Sequence, residues 1–294
     1  MENGKWKINH AEEGERAKGY MKRSIVCALL LGAVIGAYSQ NDGLVTVEQR
    51  MVEGVGIVAH RGYWNCEAGG FARNSIAALK AAQDAGFWGS EFDVNMTADS
   101  VLIVFHDSSI GGKKIEKNLF SDFAEHRLEN GEQIPTLDAF LTQGQKSERT
   151  KLVFELKAHS SPEVEDRAIR LSLKLLADKG LLKPERVMFI SFSLHACREF
   201  ARLCPGFQVQ YLGANLWPSE LKENGLNGID MNQFYYLPVA RFHDEARELG
   251  MSINVWTVNK EKDMERVVAT GIDLLTTDEP MKAREMLQER EERK

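Results

Sequence analysis

The chain has 294 residues, a formal net charge of −6, 43% hydrophobic residues and 27% charged ones. That is enough chain to bury a real core as one large domain or two small ones. Mild acidity with no basic stripe excludes a nucleic-acid partner, and the absence of heptads or a fixed repeat excludes a coiled coil or solenoid.

Residues 1–20 are rich in Lys and Glu and lack apolar periodicity. Met21-Lys22-Arg23 then precedes an apolar run from Ile25 to Ala37, and Ala37-Tyr38-Ser39 leads into Gln40. A basic start, an apolar middle and a small-x-small end read as a secretory signal, roughly Met21–Ser39. Met21 is the expected start, Gln40 the expected mature N-terminus, and the periplasm or exterior the expected destination. The apolar run is shorter than the roughly 20 residues of a spanning helix, so no stable membrane anchor is expected. Cys27 leaves with this segment, while Cys66, Cys197 and Cys204 remain without metal-ligand spacing. A Cys197–Cys204 bridge across a helical segment is geometrically poor. The expected division is extension and signal over 1–39, a polar lead-in over 40–54 and one catalytic domain over 55–294.

Val55–Ala59 reads as a buried strand ending at His60-Arg61-Gly62. After a loop rich in Gly and aromatics, Asn74 is expected to cap a helix that stops at Gly86. Gly89–Asn95 is the next strand, and its alternation sends Glu91 and Asp93 to one face and Phe92 to the other. Two such carboxylates repel and raise each other's pKa unless a cation lies between them. The link from Asp93 to Val101 is too short for a parallel crossover, so Thr97–Ser100 is a hairpin tip. Folding about it returns the arm Val101–His106 and is expected to set His106 roughly opposite Glu91, an acid–base candidate beside a carboxylate pair.

Residues 108–133 are polar and irregular, an excursion over the mouth of the fold, and Thr136 caps a helix through Leu141. Strand and helix then alternate. The strands are Lys151–Leu156, Val187–Ser191, Gln208–Leu212, Gly228–Met231, Ser252–Thr257 and Ile272–Thr276. The principal helices between them are Glu163–Lys179, Leu194–Leu203, Val239–Leu249 and Lys260–Thr270, and a charged helix from Met281 closes the chain. Apart from the hairpin arm there are eight strands of parallel type, the pattern of a TIM-like (β/α)8 barrel with a β-hairpin arm and a small polar insertion after the second barrel strand. His60, Arg61, Glu91, Asp93, Glu155, Lys157 and Trp256 fall at or just past strand C-termini, where barrel active sites lie.

The ordered series HRG, N-S-x-x-A, E-F-D-V-x-x-T-x-D, V-x-x-H-D, IPTLDAFL, FELK, SFS, VWTVN and GIDLLTTDEP resembles the glycerophosphodiester phosphodiesterase family over Val55 to Pro280. The resemblance implies the same barrel and an enzyme that hydrolyses glycerophosphodiesters to sn-glycerol 3-phosphate and an alcohol. It implies that Glu91, Asp93 and Glu155 hold the metal, a hard oxygen set suited to Ca²⁺ or Mg²⁺. It also implies His60 and His106 as the acid–base pair, with neither role assigned between them. A glycerol hydroxyl would attack phosphorus, and water would open the resulting cyclic phosphate. Arg61 offers a planar fork to phosphate, Lys157 shares the face of Glu155, and Trp256 either packs against the alcohol group or fills a barrel layer. Family members commonly place Glu before the helix-capping Asn, where this chain has Arg73. The same chemistry on lysophospholipids, or a non-catalytic barrel that binds phosphodiesters, are the alternatives.

Overall fold

The computed structural model describes residues 51, 52 and 54–294, so the expected signal segment and most of the lead-in lie outside the described residues. Met51–Val52 (β1) runs antiparallel to Val55–Ala59 (β2), whose five residues are all buried. Gly62 (φ 81°) then turns the chain so tightly against Ala78 that an added Cβ would lie 2.7 Å from the alanine's own. Helix α1 (Ile76–Asp84) follows, and Gly86, also left-handed, ends the turn after it.

Strand β3 (Gly89–Met96) is the longest of the barrel and is buried throughout. Its start pairs with β2 and its end with the antiparallel arm β4 (Leu102–Val104), while β7 (Lys151–Leu156) flanks its other edge. The excursion after β4 contains a small hairpin of β5 (Ser109–Ile110) and β6 (Lys113–Lys114) and two short 3₁₀ turns. Its outside is polar, as the sequence reads. Its inside buries Ile110, Ile115, Phe123 and Leu128 against Ile103 of β4 and Ala72, which fixes it to the barrel. Helix α2 (Leu137–Gly144), capped by Thr136 Oγ1 on the Ala139 amide at 3.2 Å, leads into β7.

The remainder alternates. Helix α3 (Pro162–Asp178) precedes β8 (Val187–Ser191), and α4 (Leu194–Leu203) precedes β9 (Val209–Tyr211). Next come α5 (Pro218–Glu223), β10 (Gly228–Asn232), the short α6 (Gln233–Tyr236), α7 (Ala240–Glu248) and β11 (Ser252–Trp256). Helix α8 (Glu261–Val268), β12 (Leu274–Thr277) and α9 (Pro280–Glu292) complete the fold. The order β2-β3-β7-β8-β9-β10-β11-β12, with β12 back on β2, closes eight parallel strands into a barrel.

Strand alternation divides the core in two. Val58, Trp88, Val153, Met188, Ile190, Leu212 and Leu274 fill the interior, and Trp256 packs on them. Outward-facing Phe92, Phe154 and Phe189 meet Phe140 of α2 and Phe200 of α4 in a connected set of ring contacts, the Phe189–Phe200 pair stacked at 4.2 Å. With both faces so packed, the strand C-termini are held rigidly. Among the described residues the cysteines Cys66, Cys197 and Cys204 are free thiols, and no helix is long and apolar enough to cross a membrane.

Two expectations are corrected. Asn74 does not cap α1: Ser75 does, its Oγ accepting from the Ala78 amide at 2.9 Å. Asn74 adopts φ 59°, which Asn tolerates better than most residues, and its side chain serves β3 instead. His106, expected roughly opposite Glu91, falls one position away from it. The β3–β4 register pairs Val94 with Val104, and the Phe105 amide donates to the Asp93 carbonyl at 3.0 Å, so the chain delivers His106 beside Asp93.

Candidate active site

Glu91 and Asp93 point inward from β3, and Glu155 does the same from the neighbouring β7. All three are buried, and one carboxylate oxygen from each lies within 4.8 Å of the others. Inward alternation alone dictates this, since the register sets Asp93 directly beside Glu155.

Three buried carboxylates in one place need positive charge. Lys157 supplies part of it, with Nζ 3.1 Å from Asp93 Oδ1 and 2.6 Å from Glu155 Oε1. The Arg61 amide donates to Glu91 Oε2 at 2.7 Å, while Arg61 Nε stands 3.7 Å from Asp93 Oδ2 and makes no hydrogen bond. Asn74 clamps Asp93 from both ends: its Nδ2 donates to Oδ2 at 2.8 Å, and its Oδ1 accepts from the Asp93 amide at 3.1 Å.

The carboxylates respond differently. Burial, reinforced by Asp93 and Glu155, lifts Glu91 well above the usual carboxylate range. Burial and the Asp93 charge push Glu155 up to about 7. Asp93 is equally buried, yet Lys157, His106, Asn74 and Arg61 together outweigh burial and hold it below its ordinary value. One lysine therefore leaves the cluster short of cation, and Glu91 Oε1 is buried with no hydrogen-bond partner. An orphaned carboxylate oxygen within a set of hard oxygen donors fits a divalent cation such as Ca²⁺ or Mg²⁺. Glu91, Asp93 and Glu155 are the residues that could hold it.

The histidines flank this cluster. His60, just past β2, bonds through Nδ1 to Asp278 Oδ1 at 2.8 Å. Asp278 also accepts from Trp64 Nε1 at 3.1 Å and from Asn259 Nδ2 at 2.7 Å. Burial alone would raise this carboxyl, but these hydrogen bonds and the His60 ring hold it down to about 2. His106 Nδ1 lies 2.6 Å from Asp107 Oδ1, and burial draws its pKa below the ordinary histidine value despite the nearby Asp93.

A cleft at the barrel mouth is lined on one side by His60, Arg61, Glu91, His106, Glu155 and Lys157. The rest of its lining is largely apolar: Ile190, Phe192, Leu212 and Trp256, with Asp230 and Thr276 among them. Phe192 and Trp256 meet edge to face at 5.7 Å. Trp256 thus both lines the cleft and packs on the interior layer. Of the residues singled out from the sequence, only Asp93 is absent from the cleft surface, sealed beneath Asn74, Lys157 and Arg61. His126, His159, His195 and His243 contact Phe105, the Met96 amide, Asp166 and the Tyr236 carbonyl, and none lines the cleft.

Sequence reasoning gave Asn74 only a capping role and assigned none to Asp278, Asn259 or Asp230. Asp278 and Asn259 follow inward strands just as Glu91 and Glu155 sit on them, so strand-end position was the available signal. Asp230, on β10, is lifted well above the carboxylate range by burial and by Glu155. Its Oδ1 has no hydrogen-bond partner.

A sequence model of the "Glycerophosphoryl diester phosphodiesterase family" matches residues 60–282. A crystal structure of a glycerophosphodiester phosphodiesterase from Parabacteroides distasonis is 41% identical, covers 81% of this chain and 98% of its own, and superposes with a TM-score of 0.78. A glycerophosphodiester phosphodiesterase of Caldanaerobacter subterraneus subsp. tengcongensis is 26% identical over 76% of this chain and 94% of its own. An Oleispira antarctica phosphodiesterase, solved with the product sn-glycerol-3-phosphate, shares the fold at 21% identity and a TM-score of 0.68, over 79% of this chain and 96% of its own.

Proposed function

We infer the reaction from one premise: the chain belongs to the glycerophosphoryl diester phosphodiesterase family and is a phosphoric diester hydrolase. It cleaves small glycerophosphodiesters to sn-glycerol 3-phosphate and the free alcohol. The product named for the Oleispira structure supports this reading. The observation that carries it is the convergence of Glu91, Asp93 and Glu155 within 4.8 Å, with Glu91 and Glu155 lining the same cleft as His60 and His106.

A phosphodiester anion repels nucleophiles and has a basic leaving alkoxide, so the site must neutralise charge and move two protons. A Ca²⁺ or Mg²⁺ ion held by Glu91, Asp93 and Glu155 would supply Lewis-acid neutralisation of the phosphate charge. Arg61 adds its fork, with Nε 3.7 Å from Asp93 and without a hydrogen-bond partner. Lys157 is a positioning residue, since its ammonium is already engaged by Asp93 and Glu155. Asp278, ionised and able only to accept, fixes the His60 proton on Nδ1 and leaves Nε2 to exchange protons with substrate. His106 handles the second proton. One histidine takes the proton of the attacking glycerol hydroxyl, the other protonates the leaving alcohol, and water then opens the cyclic phosphate. A rapid-quench time course that shows no cyclic phosphate would remove that intermediate.

The direct test is coupled detection of glycerol 3-phosphate from glycerophosphocholine and glycerophosphoethanolamine, using protein that begins at Gln40. Release should vanish in EDTA, return with Ca²⁺ or Mg²⁺, and fall by roughly 10²–10⁴-fold in His60→Ala. A folded protein that releases nothing from either diester contradicts the reading. Export through the segment Met21–Ser39 belongs to the same proposal, and N-terminal sequencing of the exported protein should begin at Gln40.

A second reading, the same chemistry on lysophospholipids, is favoured by exposed aromatics on the loop after β8 and on the short helix α6. Phe192 is 45% exposed, Phe234 76% and Tyr235 66%. Turnover of lysophosphatidylcholine comparable to that of glycerophosphocholine would support it.

A further inference from the structure

We propose that Arg73 is a specificity-determining residue that recruits substrates whose alcohol group carries a carboxylate. The inference rests on the phosphodiesterase reading above and adds the chemical class of its preferred alcohol. Arg73 is exposed, and its guanidinium carbon lies over the Trp64 ring, 3.7 Å from the centroid. The same indole donates from Nε1 to Asp278 Oδ1, the oxygen that holds His60 Nδ1. The cation is therefore separated from the Asp278–His60 pair by a single indole, on the His60 side of the cleft.

Three carboxylates tied to this part of the chain are engaged by other groups. Asp278 is taken by His60, Trp64 and Asn259. Glu279 accepts from Asn65 at 2.9 Å, and Glu132 accepts from the Ile76 and Ala77 amides at the start of α1 and from Asn130. Among the described residues Arg73 makes no ion pair, so its contact is with the indole face and its N–H donors are left for an acceptor.

Its backbone is fixed as well. Ala72 is fully buried under the excursion, and the Asn74 amide donates to the Arg61 carbonyl at 3.0 Å while the Asn74 side chain clamps Asp93. Phe71 and Asn74 on either side both adopt left-handed backbone, at φ 56° and 59°, a cost sustained only where surrounding structure over-determines it. The segment thus holds a guanidinium without an ion-pair partner over Trp64, whose indole is bonded to the Asp278 that holds His60. Such a fork binds a planar carboxylate through two parallel hydrogen bonds and loses little freedom in doing so.

Glycerophosphoserine and glycerophosphoethanolamine differ by one carboxylate and form the matched probes. Their kcat/KM values are to be measured for wild type, Arg73→Gln, Arg73→Lys and Arg73→Glu. The serine-to-ethanolamine ratio should fall about tenfold in Arg73→Gln, the order expected for a charged hydrogen bond. It should fall further in Arg73→Glu and be partly retained in Arg73→Lys. Calorimetric affinities for both diesters, on a His106→Gln background that slows turnover, should show the same ratio change. A ratio unmoved by Arg73→Gln and Arg73→Glu overturns the proposal. So does an equal fall for both diesters, which would make Arg73 a packing residue for Trp64. If wild type hydrolyses neither diester, the phosphodiesterase reading is lost, and the calorimetric ratio alone decides the role of Arg73.

Discussion

Asp278 receives hydrogen bonds from three side chains, His60, Trp64 and Asn259, and its carboxyl is held down to about 2 from an ordinary 3.8. Asp278→Asn keeps the shape but removes the charge that fixes the His60 tautomer. We expect kcat to fall by roughly 10²–10⁴-fold while KM changes little, because phosphate recognition lies with Arg61 and the cation. Stability carries its own signature. A carboxyl whose folded pKa is depressed stabilises the fold above its unfolded pKa and loses that contribution as pH falls through the folded one. The stability gap between wild type and Asp278→Asn should therefore be full near pH 5 and close as pH falls from about 4 to about 2. A gap constant over that range would contradict the account. At this scale the sequence was legible where strand alternation acts: Glu91 and Asp93 on one face, Glu155 and Lys157 on another. It was not legible where partners come from distant loops, because nothing local marks Asp278 as the residue that orients His60, 218 positions away.

Element positions followed from period and punctuation. Strands Val55–Ala59, Lys151–Leu156 and Val187–Ser191 and helix Leu194–Leu203 match the sequence reading to the residue. The misreadings are equally specific. The start of α1 is one residue later than expected, because Asn74 spends its amide on Asp93 and leaves capping to Ser75. The hairpin tip was correct, yet the register inside it depends on the turn hydrogen bonds Thr97 N to Val101 O and Ser100 N to Thr97 O, which spacing alone did not resolve. Asn74→Ala tests the first point. The cap on α1 survives, so thermal stability should drop by only about 1–3 kcal/mol from the lost bonds to a buried carboxylate. Cation affinity should fall by about 10- to 100-fold, as for other residues that orient metal ligands. A variant that loses helix stability but binds cation normally would return Asn74 to the capping role.

At the scale of the whole molecule the barrel was predictable, since eight strands separated by helical patterns have few ways to close. Its interior is not uniformly apolar: the carboxylates at the mouth oppose folding when no cation balances them. Burial lifts Glu155 to about 7 from an ordinary 4.5, and a group with a raised folded pKa favours the fold below its unfolded pKa and loses that advantage as pH rises through the folded one. EDTA-stripped protein should therefore lose thermal stability between about pH 5 and pH 8, and Ca²⁺ or Mg²⁺ should restore more at pH 8 than at pH 5. Equal restoration at both pH values would show that the cation does not act through these carboxylates.

The most direct measurement is a calorimetric titration of EDTA-stripped protein with Ca²⁺ and with Mg²⁺, run beside glycerol 3-phosphate release over the same concentrations. We predict one saturable site, activity that rises with its occupancy, and loss of both in Glu91→Gln and Glu155→Gln, each folded as wild type. Full activity in EDTA, or cation binding untouched by either substitution, would contradict the assignment of Glu91, Asp93 and Glu155 as the seat of the metal.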